Sequence, residues 1–133
     1  MSKLMVFTYG VFDLLHPGHI SLLERSKELG DHLTVGIVPD HAVRDKKGPD
    51  RPIFNEKDRL RIVRSLKCVD DAMIMDSYNP INTMEILPRV DILTKGDDWE
   101  VIPGSEYGCK VIKLPYSHEY STTRLVNKIR GRE

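Results

Sequence analysis

The sequence has no run of the roughly 18 apolar residues that a membrane-spanning helix needs, so nothing in it is expected to enter a bilayer. Its first residues pass from Met1-Ser2-Lys3-Leu4 straight into Val6-Phe7-Thr8, an apolar stretch too short for a signal peptide. It lacks an excess of either charge, with 20 Lys plus Arg against 20 Asp plus Glu. A broadly basic nucleic-acid binder is therefore disfavoured, while a local cationic site stays open. Cysteine is scarce. Cys68 and Cys109 lie 41 residues apart and form no CxxC pair, which points to a reduced cytoplasmic chain with two buried thiols. No internal repeat, low-complexity run or linker interrupts the chain. What remains is an ordinary globular composition, 40% hydrophobic and 30% charged over 133 residues, which excludes a disordered or fibrous class. That length predicts one domain over 1–133, able to bury about two-thirds of the surface of its unfolded chain.

Short β-rich runs alternate with helical patterns. Strands are expected over 4–8, 32–38, 72–75, 91–94 and 110–114. A helix over 18–29 carries Ile20, Leu22, Leu23 and Leu29 and stops at Gly30. Residues 39–52 are polar, contain Lys46-Lys47-Gly48-Pro49, and read as a mobile loop. Asn55 can cap a helix running to 67, Pro80 suits the first turn of a short helix over 80–87, and Ser121 can cap a last helix to 129. The alternation predicts an α/β fold, a doubly wound parallel sheet of about five strands with helices on both faces. In such sheets ligands bind beyond the carboxyl ends of the strands, where strand order reverses. The segments 9–19, 96–100 and 116–123 all follow strands and should meet at that rim.

His16-Pro17-Gly18-His19 falls where the first strand hands over to the first helix. Histidines three apart at a helix start can point to one side. Gly18 would let a ligand approach the backbone closely, and free N–H groups at a helix start suit a phosphate. The imidazoles add neutral or cationic donors. No cysteine or carboxylate stands at a familiar zinc-ligand spacing, so no metal site is expected in the chain itself.

The longer stretch Tyr9-Gly10-Val11-Phe12-Asp13-Leu14-Leu15-His16-Pro17-Gly18-His19 resembles the G-x-F-D-x-x-H-x-G-H signature of the nucleotidyltransferase superfamily. Gly96-Asp97-Asp98-Trp99-Glu100 resembles the GDDWE of glycerol-3-phosphate cytidylyltransferases, and Ser121-Thr122-Thr123 the end of the cytidylyltransferase RTEGIST[ST] motif. The resemblance covers nearly the whole chain. It implies a Rossmann-like sheet, a nucleoside triphosphate carried with Mg²⁺, and commonly a homodimer. It places Tyr9, Gly10, Val11, Phe12, His16, Gly18 and His19 along the nucleotide. Arg59, Gly96, Asp97 and Trp99 join them there, as do Tyr116, Ser121, Thr122 and Thr123. Asp13, Lys46 and Asp98 are assigned to the acceptor, and His16, His19 and Lys46 to catalysis. Asp13 can equally hold its loop through backbone hydrogen bonds, and Lys46 and Lys47 can be either a lid or a solvated pair. Ser121 is read as a helix cap and not as a nucleophile.

The chain also departs from these patterns. Tyr116-Ser117 stands where RTEGIST opens with Arg-Thr, so an arginine that resemblance places near the phosphates is absent. Lys113, His118 and Arg124 are candidates to replace it. Glycerol-phosphate members carry a substrate-side lysine after the third strand, and none occurs between Met75 and Arg89. Conversely, Lys47-Gly48-Pro49-Asp50-Arg51-Pro52 resembles the KGPxRP of heptose-phosphate adenylyltransferases, as do Ile86-Leu87-Pro88 and Lys95-Gly96. The implied reaction is attack of an acceptor phosphate on the α-phosphorus of a nucleoside triphosphate, with loss of pyrophosphate. A phosphate monoester is already mostly dianionic at neutral pH, so no general base is needed. Positioning and charge stabilisation remain. GDDWE, the longer match, favours CTP and a small phosphorylated alcohol or sugar feeding a cell-envelope polymer or lipid. The alternative is ATP with a sugar 1-phosphate such as a heptose phosphate. Both histidines are intact, which argues against a non-catalytic nucleotide sensor.

Overall fold

A computed structural model describes residues 3–116 and 119–132. Five strands, β1 (Met5–Gly10), β2 (His32–Ile37), β3 (Asp71–Ile74), β4 (Ile92–Gly96) and β5 (Lys110–Leu114), pair in the order β3-β2-β1-β4-β5. Every pairing is parallel. Parallel strands need both faces covered, and the side chains of β1 show how that is met. Phe7 and Tyr9 pack with Val43, Met84 and Leu93 on one face, while Val6 packs with Leu23, Leu33 and Val63 on the other. The first face is covered by α2 (Asp40–Lys47) and α4 (Ile81–Ile86), the second by α1 (Pro17–Glu28) and α3 (Glu56–Arg64). This is the doubly wound α/β sheet that the alternating pattern implied. Strand order reverses between β1 and β4, which opens a crevice beyond their carboxyl ends.

Local chemistry sets the helix starts. Pro17 occupies the first turn of α1, Asn55 accepts from the Asp58 amide at 2.9 Å to cap α3, and Ser121 accepts from the Arg124 amide at 3.0 Å to cap α5 (Thr122–Ile129). No helix among the described residues is long and apolar enough to cross a membrane.

Three expectations are corrected. The polar segment 39–52 is not all loop: residues 40–47 form α2. Its helix rests on just two buried side chains, Ala42 and Val43, which seal one sheet face, and Gly48 at φ 97° ends it. The first and fourth strands also run further than the apolar pattern suggested, to Gly10 and Gly96. The extra length of β4 brings Lys95 inside the sheet, 7% exposed. Cys68 and Cys109 are free thiols, as read from the sequence, but half-buried and not fully buried.

Candidate active site

The β1–α1 connection is a tightly tied loop. Phe12 and Leu14 take left-handed backbone angles, φ 52° and 50°, that side chains other than glycine rarely adopt. Asp13 holds them there. Its carboxylate accepts the Ile53 amide at 2.6 Å and the Phe54 amide at 2.9 Å, and its carbonyl accepts the Thr122 hydroxyl at 2.6 Å. Asp13 thus pins three segments together and is absent from the cavity lining. Of the two roles open to it, these bonds show the loop-holding one, with the carboxylate side chain fully buried.

His16 and His19 cap α1 with each other. His16 Nδ1 accepts from the Gly18 amide at 3.1 Å and the His19 amide at 3.4 Å, while His19 Nδ1 accepts from the His16 amide at 3.2 Å. This is a capping box built from imidazoles. The network assigns the remaining proton of each ring to Nε2. The rings stack at 3.7 Å. Burial, and for His19 also the neighbouring cations, lower both pKa values, that of His19 to about 3. Both are therefore neutral donors at pH 7. Two earlier readings change with this geometry. The first amides of α1 are taken by His16 and are not free for a phosphate. Gly18 makes room for the His16 ring, since a Cβ there would sit 3.0 Å from Cε1, and it does not line the cavity.

The crevice beyond β1 and β4 holds a cavity of about 310 Å³. Tyr9, Gly10, Val11, Phe12 and His19 line it from the first strand and helix. Gly96, Asp98 and Trp99 line it from the end of β4, with Tyr116, Ser121, Thr122 and Thr123 from the approach to α5. These are the three segments expected to converge. Lys46 enters from the last turn of α2, its Nζ 4.1 Å from the Tyr78 ring and 5.0 Å from the Trp99 ring.

Other residues expected at the nucleotide lie elsewhere. His16 stands behind His19, its Nε2 buried without a hydrogen-bond partner. Asp97 accepts the Tyr116 amide at 3.0 Å and joins β4 to the strand-five side. Arg59 is fully buried. Its guanidinium donates to Phe54 O at 3.0 Å, Val11 O at 2.7 Å and Asp40 Oδ1 at 2.7 Å, so it braces the cavity wall from inside. Of the candidates for the missing arginine, Lys113 donates to Glu100 O at 2.9 Å, Arg124 is not in the cavity lining, and His118 lies outside the described residues with Ser117.

Among the lining residues that the sequence did not single out for the site are Lys95, Arg51, Tyr78 and Leu22. Lys95 donates to Tyr9 O at 2.5 Å and sits 4.1 Å from the Tyr9 ring. Burial, only partly offset by Asp98, pushes its pKa down to about 7. The signal was present in Lys95-Gly96 and in the KGPDRP stretch, but the sequence alone did not show that those side chains turn inward. With Lys46 and Lys47 they bring four cationic side chains to one cavity, against the single carboxylate of Asp98 among the described lining residues.

The cytidylyltransferase-like family model matches residues 7–128. The chain is 41% identical over 132 residues to the bifunctional protein HldE of Campylobacter fetus subsp. fetus, covering 98% of this chain and 29% of that one. It is 43% identical over 129 residues to the HldE of Helicobacter pylori strain P12, covering 95% and 28%. The chain thus spans less than a third of the length of these relatives. The crystal structure of a lipopolysaccharide core biosynthesis protein from Thermoplasma volcanium superposes with a TM-score of 0.73 at 34% identity, over 87% of this chain and 98% of that one. A cationic crevice at the switch point of a doubly wound sheet, an HPGH capping box at its edge and these matches lead to one assignment: the chain belongs to the cytidylyltransferase-like family of HxGH nucleotidyltransferases.

Proposed function

We propose that the chain transfers an adenylyl group from ATP to a phosphorylated sugar, of the heptose 1-phosphate kind, releasing pyrophosphate. The observation that carries the reading is the clustering of Lys46, Lys47, Arg51 and Lys95 around His19 in a chain with no net charge. Such a cavity suits two polyanions at once, a triphosphate and an acceptor phosphate. The acceptor phosphate oxygen attacks the α-phosphorus, the bond from that phosphorus to the bridging oxygen breaks, and pyrophosphate carries the electron pair away. Charge moves onto the leaving oxygens as it does so. His19 Nε2–H and the lysines are donors held around the space where that charge develops. Trp99, Tyr78 and Tyr116 offer flat surfaces for the base and ribose.

Mg²⁺ fits as an ion that arrives with the triphosphate. Among the described residues no three His, Cys, Asp or Glu converge to hold a metal. Mg²⁺ is commonly bound by substrate phosphates with one or two carboxylates, and Asp98 is the carboxylate at the cavity. When bound, the ion would neutralise charge on the leaving phosphates.

The sequence alone weighed toward CTP through GDDWE. The HldE relatives shift the balance to the heptose-phosphate adenylyltransferase pattern seen in KGPDRP, IleLeuPro and LysGly. Cytidylyl transfer to a glycerol-phosphate-like acceptor stays as the second reading because Asp98 and Trp99 of GDDWE do face the cavity. A matrix of the four nucleoside triphosphates against sugar 1-phosphates and polyol phosphates, read by pyrophosphate release, separates them. ATP with a heptose 1-phosphate should give the highest kcat/KM. CTP with glycerol 3-phosphate in first place would reverse the assignment.

A further inference from the structure

Arg51 is a buried cation with too few partners. Its residue is 7% exposed, yet Nε and Nη2 have no hydrogen-bond partner. Nη1 reaches the Thr123 hydroxyl at a long 3.4 Å. Nε lies 3.9 Å from Asp13 Oδ2, and that carboxylate already accepts two backbone amides. A guanidinium offers five N–H donors, and folded proteins rarely leave buried donors unused. The side chain lines the same cavity as Thr123, in the first turn of α5, and Tyr116, the position at which the RTEGIST motif opens with arginine. Lys47 shares this wall, and its pKa is lowered by burial and then by Arg51, with Asp13 opposing the shift only in part, so the two cations repel across a carboxylate that already accepts two backbone amides. An incoming polyphosphate would relieve that repulsion and fill the empty donors.

We propose that Arg51, reaching in from the loop between α2 and α3, is the guanidinium that grips the pyrophosphate end of the triphosphate in this chain. This rests on the nucleotide-binding reading above. The two are separable, because a grip on the leaving phosphates depends on how many phosphates a ligand carries and not on the acceptor.

Calorimetric binding of ATP, AMP and inorganic tripolyphosphate to the wild-type chain, Arg51→Gln and Arg51→Lys tests it. Loss of a bidentate charged partner should weaken ATP and tripolyphosphate by at least about tenfold in Arg51→Gln while AMP stays within about twofold. Arg51→Lys, which keeps the charge but not the fork, should fall between. A bracing role through Asp13 would instead lower all three affinities together and lower the melting temperature with them. Equal ATP binding by Arg51→Gln and wild type, or an equal loss for ATP and AMP, overturns the proposal. Should Arg51→Gln fail to fold, Arg51→Lys carries the same comparison. It must lose more affinity for ATP and tripolyphosphate than for AMP, or the proposal fails. A wild-type chain that binds neither ATP nor tripolyphosphate overturns the nucleotide reading itself.

Discussion

His19 uses its two ring nitrogens differently. Nδ1 accepts the His16 amide, and the ring lines the cavity, where Nε2 is left to donate. His19→Ala therefore removes both functions. Turnover should fall on the order of 10²–10³-fold, and loss of the cap should cost about 1 kcal/mol of stability. His19→Gln can restore the cap, as glutamine does at this position of a capping box, and should return the melting temperature without returning turnover. Steady-state rates and thermal melts on both variants check this, and turnover within about tenfold of wild type for His19→Ala would remove the histidine from the chemistry. Because the pKa of His19 is lowered to about 3, no limb from His19 should appear in the rate between pH 5 and 8. That both rings are neutral follows from their burial, which four letters of sequence do not specify.

At the scale of elements, a single side chain reaches α2, the approach to α3 and the β1–α1 loop at once. Arg59 links Asp40 at the start of α2, Phe54 before α3, and Val11 beside the cavity. The resemblance to family members put an arginine of this helix at the nucleotide; the fold instead uses it to position the element that carries Lys46 and Lys47. Removing one member of a buried ion pair strands its partners. Arg59→Met should destabilise by about 3 kcal/mol, a fall of about 10 °C in melting temperature. Asp40→Asn combined with it should cost less than the two single changes summed, because they share one interaction. A melt of Arg59→Met within about 2 °C of wild type would show that the brace is dispensable. The helix α2 itself escaped detection for a physical reason. Its eight residues show no 3.6-residue apolar stripe, and two side chains meeting the sheet supply what local propensity does not.

The whole molecule is neutral, yet it concentrates positive charge at one point inside the sheet's crevice. Holding Lys95 there works against stability wherever the amine must be charged. Its pKa drops from 10.5 in the open chain to about 7 in the fold. Below about pH 7 the native state bears the full penalty, and as pH rises toward 10.5 the penalty fades, because the unfolded chain then binds the extra proton. Lys95→Met should thus raise the melting temperature by on the order of 5 °C at pH 6, with the gain shrinking at pH 9. Function runs the other way. An anion in the cavity favours the charged amine, so wild-type kcat/KM should decline above about pH 7 and Lys95→Met should lose that limb along with affinity. Paired pH series of melts and rates would show it; an unchanged alkaline limb in Lys95→Met would assign the titration to another group.

The class of fold and the rim where the cavity lies were legible in the sequence. Alternating apolar runs and helix caps at Asn55 and Ser121 are local signals, and the strand ends they predict force the segments at 9–19, 96–100 and 116–123 to one rim. Motifs around His16, His19 and Gly96 were legible because each lies within one continuous stretch. Tertiary structure decided which side chains reach the ligand space. Arg59 and Asp13 look equally available in the sequence, yet their charges are consumed by carbonyls and amides from residues 40 or more apart in the chain, Ile53 and Phe54 for Asp13 and Val11 for Arg59. Arg51 and Lys95 look like ordinary charges in a loop and a strand end, but burial turns them into the cavity with donors to spare or a proton loosely held. A charge's partners and its desolvation are set by elements distant in sequence, so only the assembled fold separates a brace from a binding group.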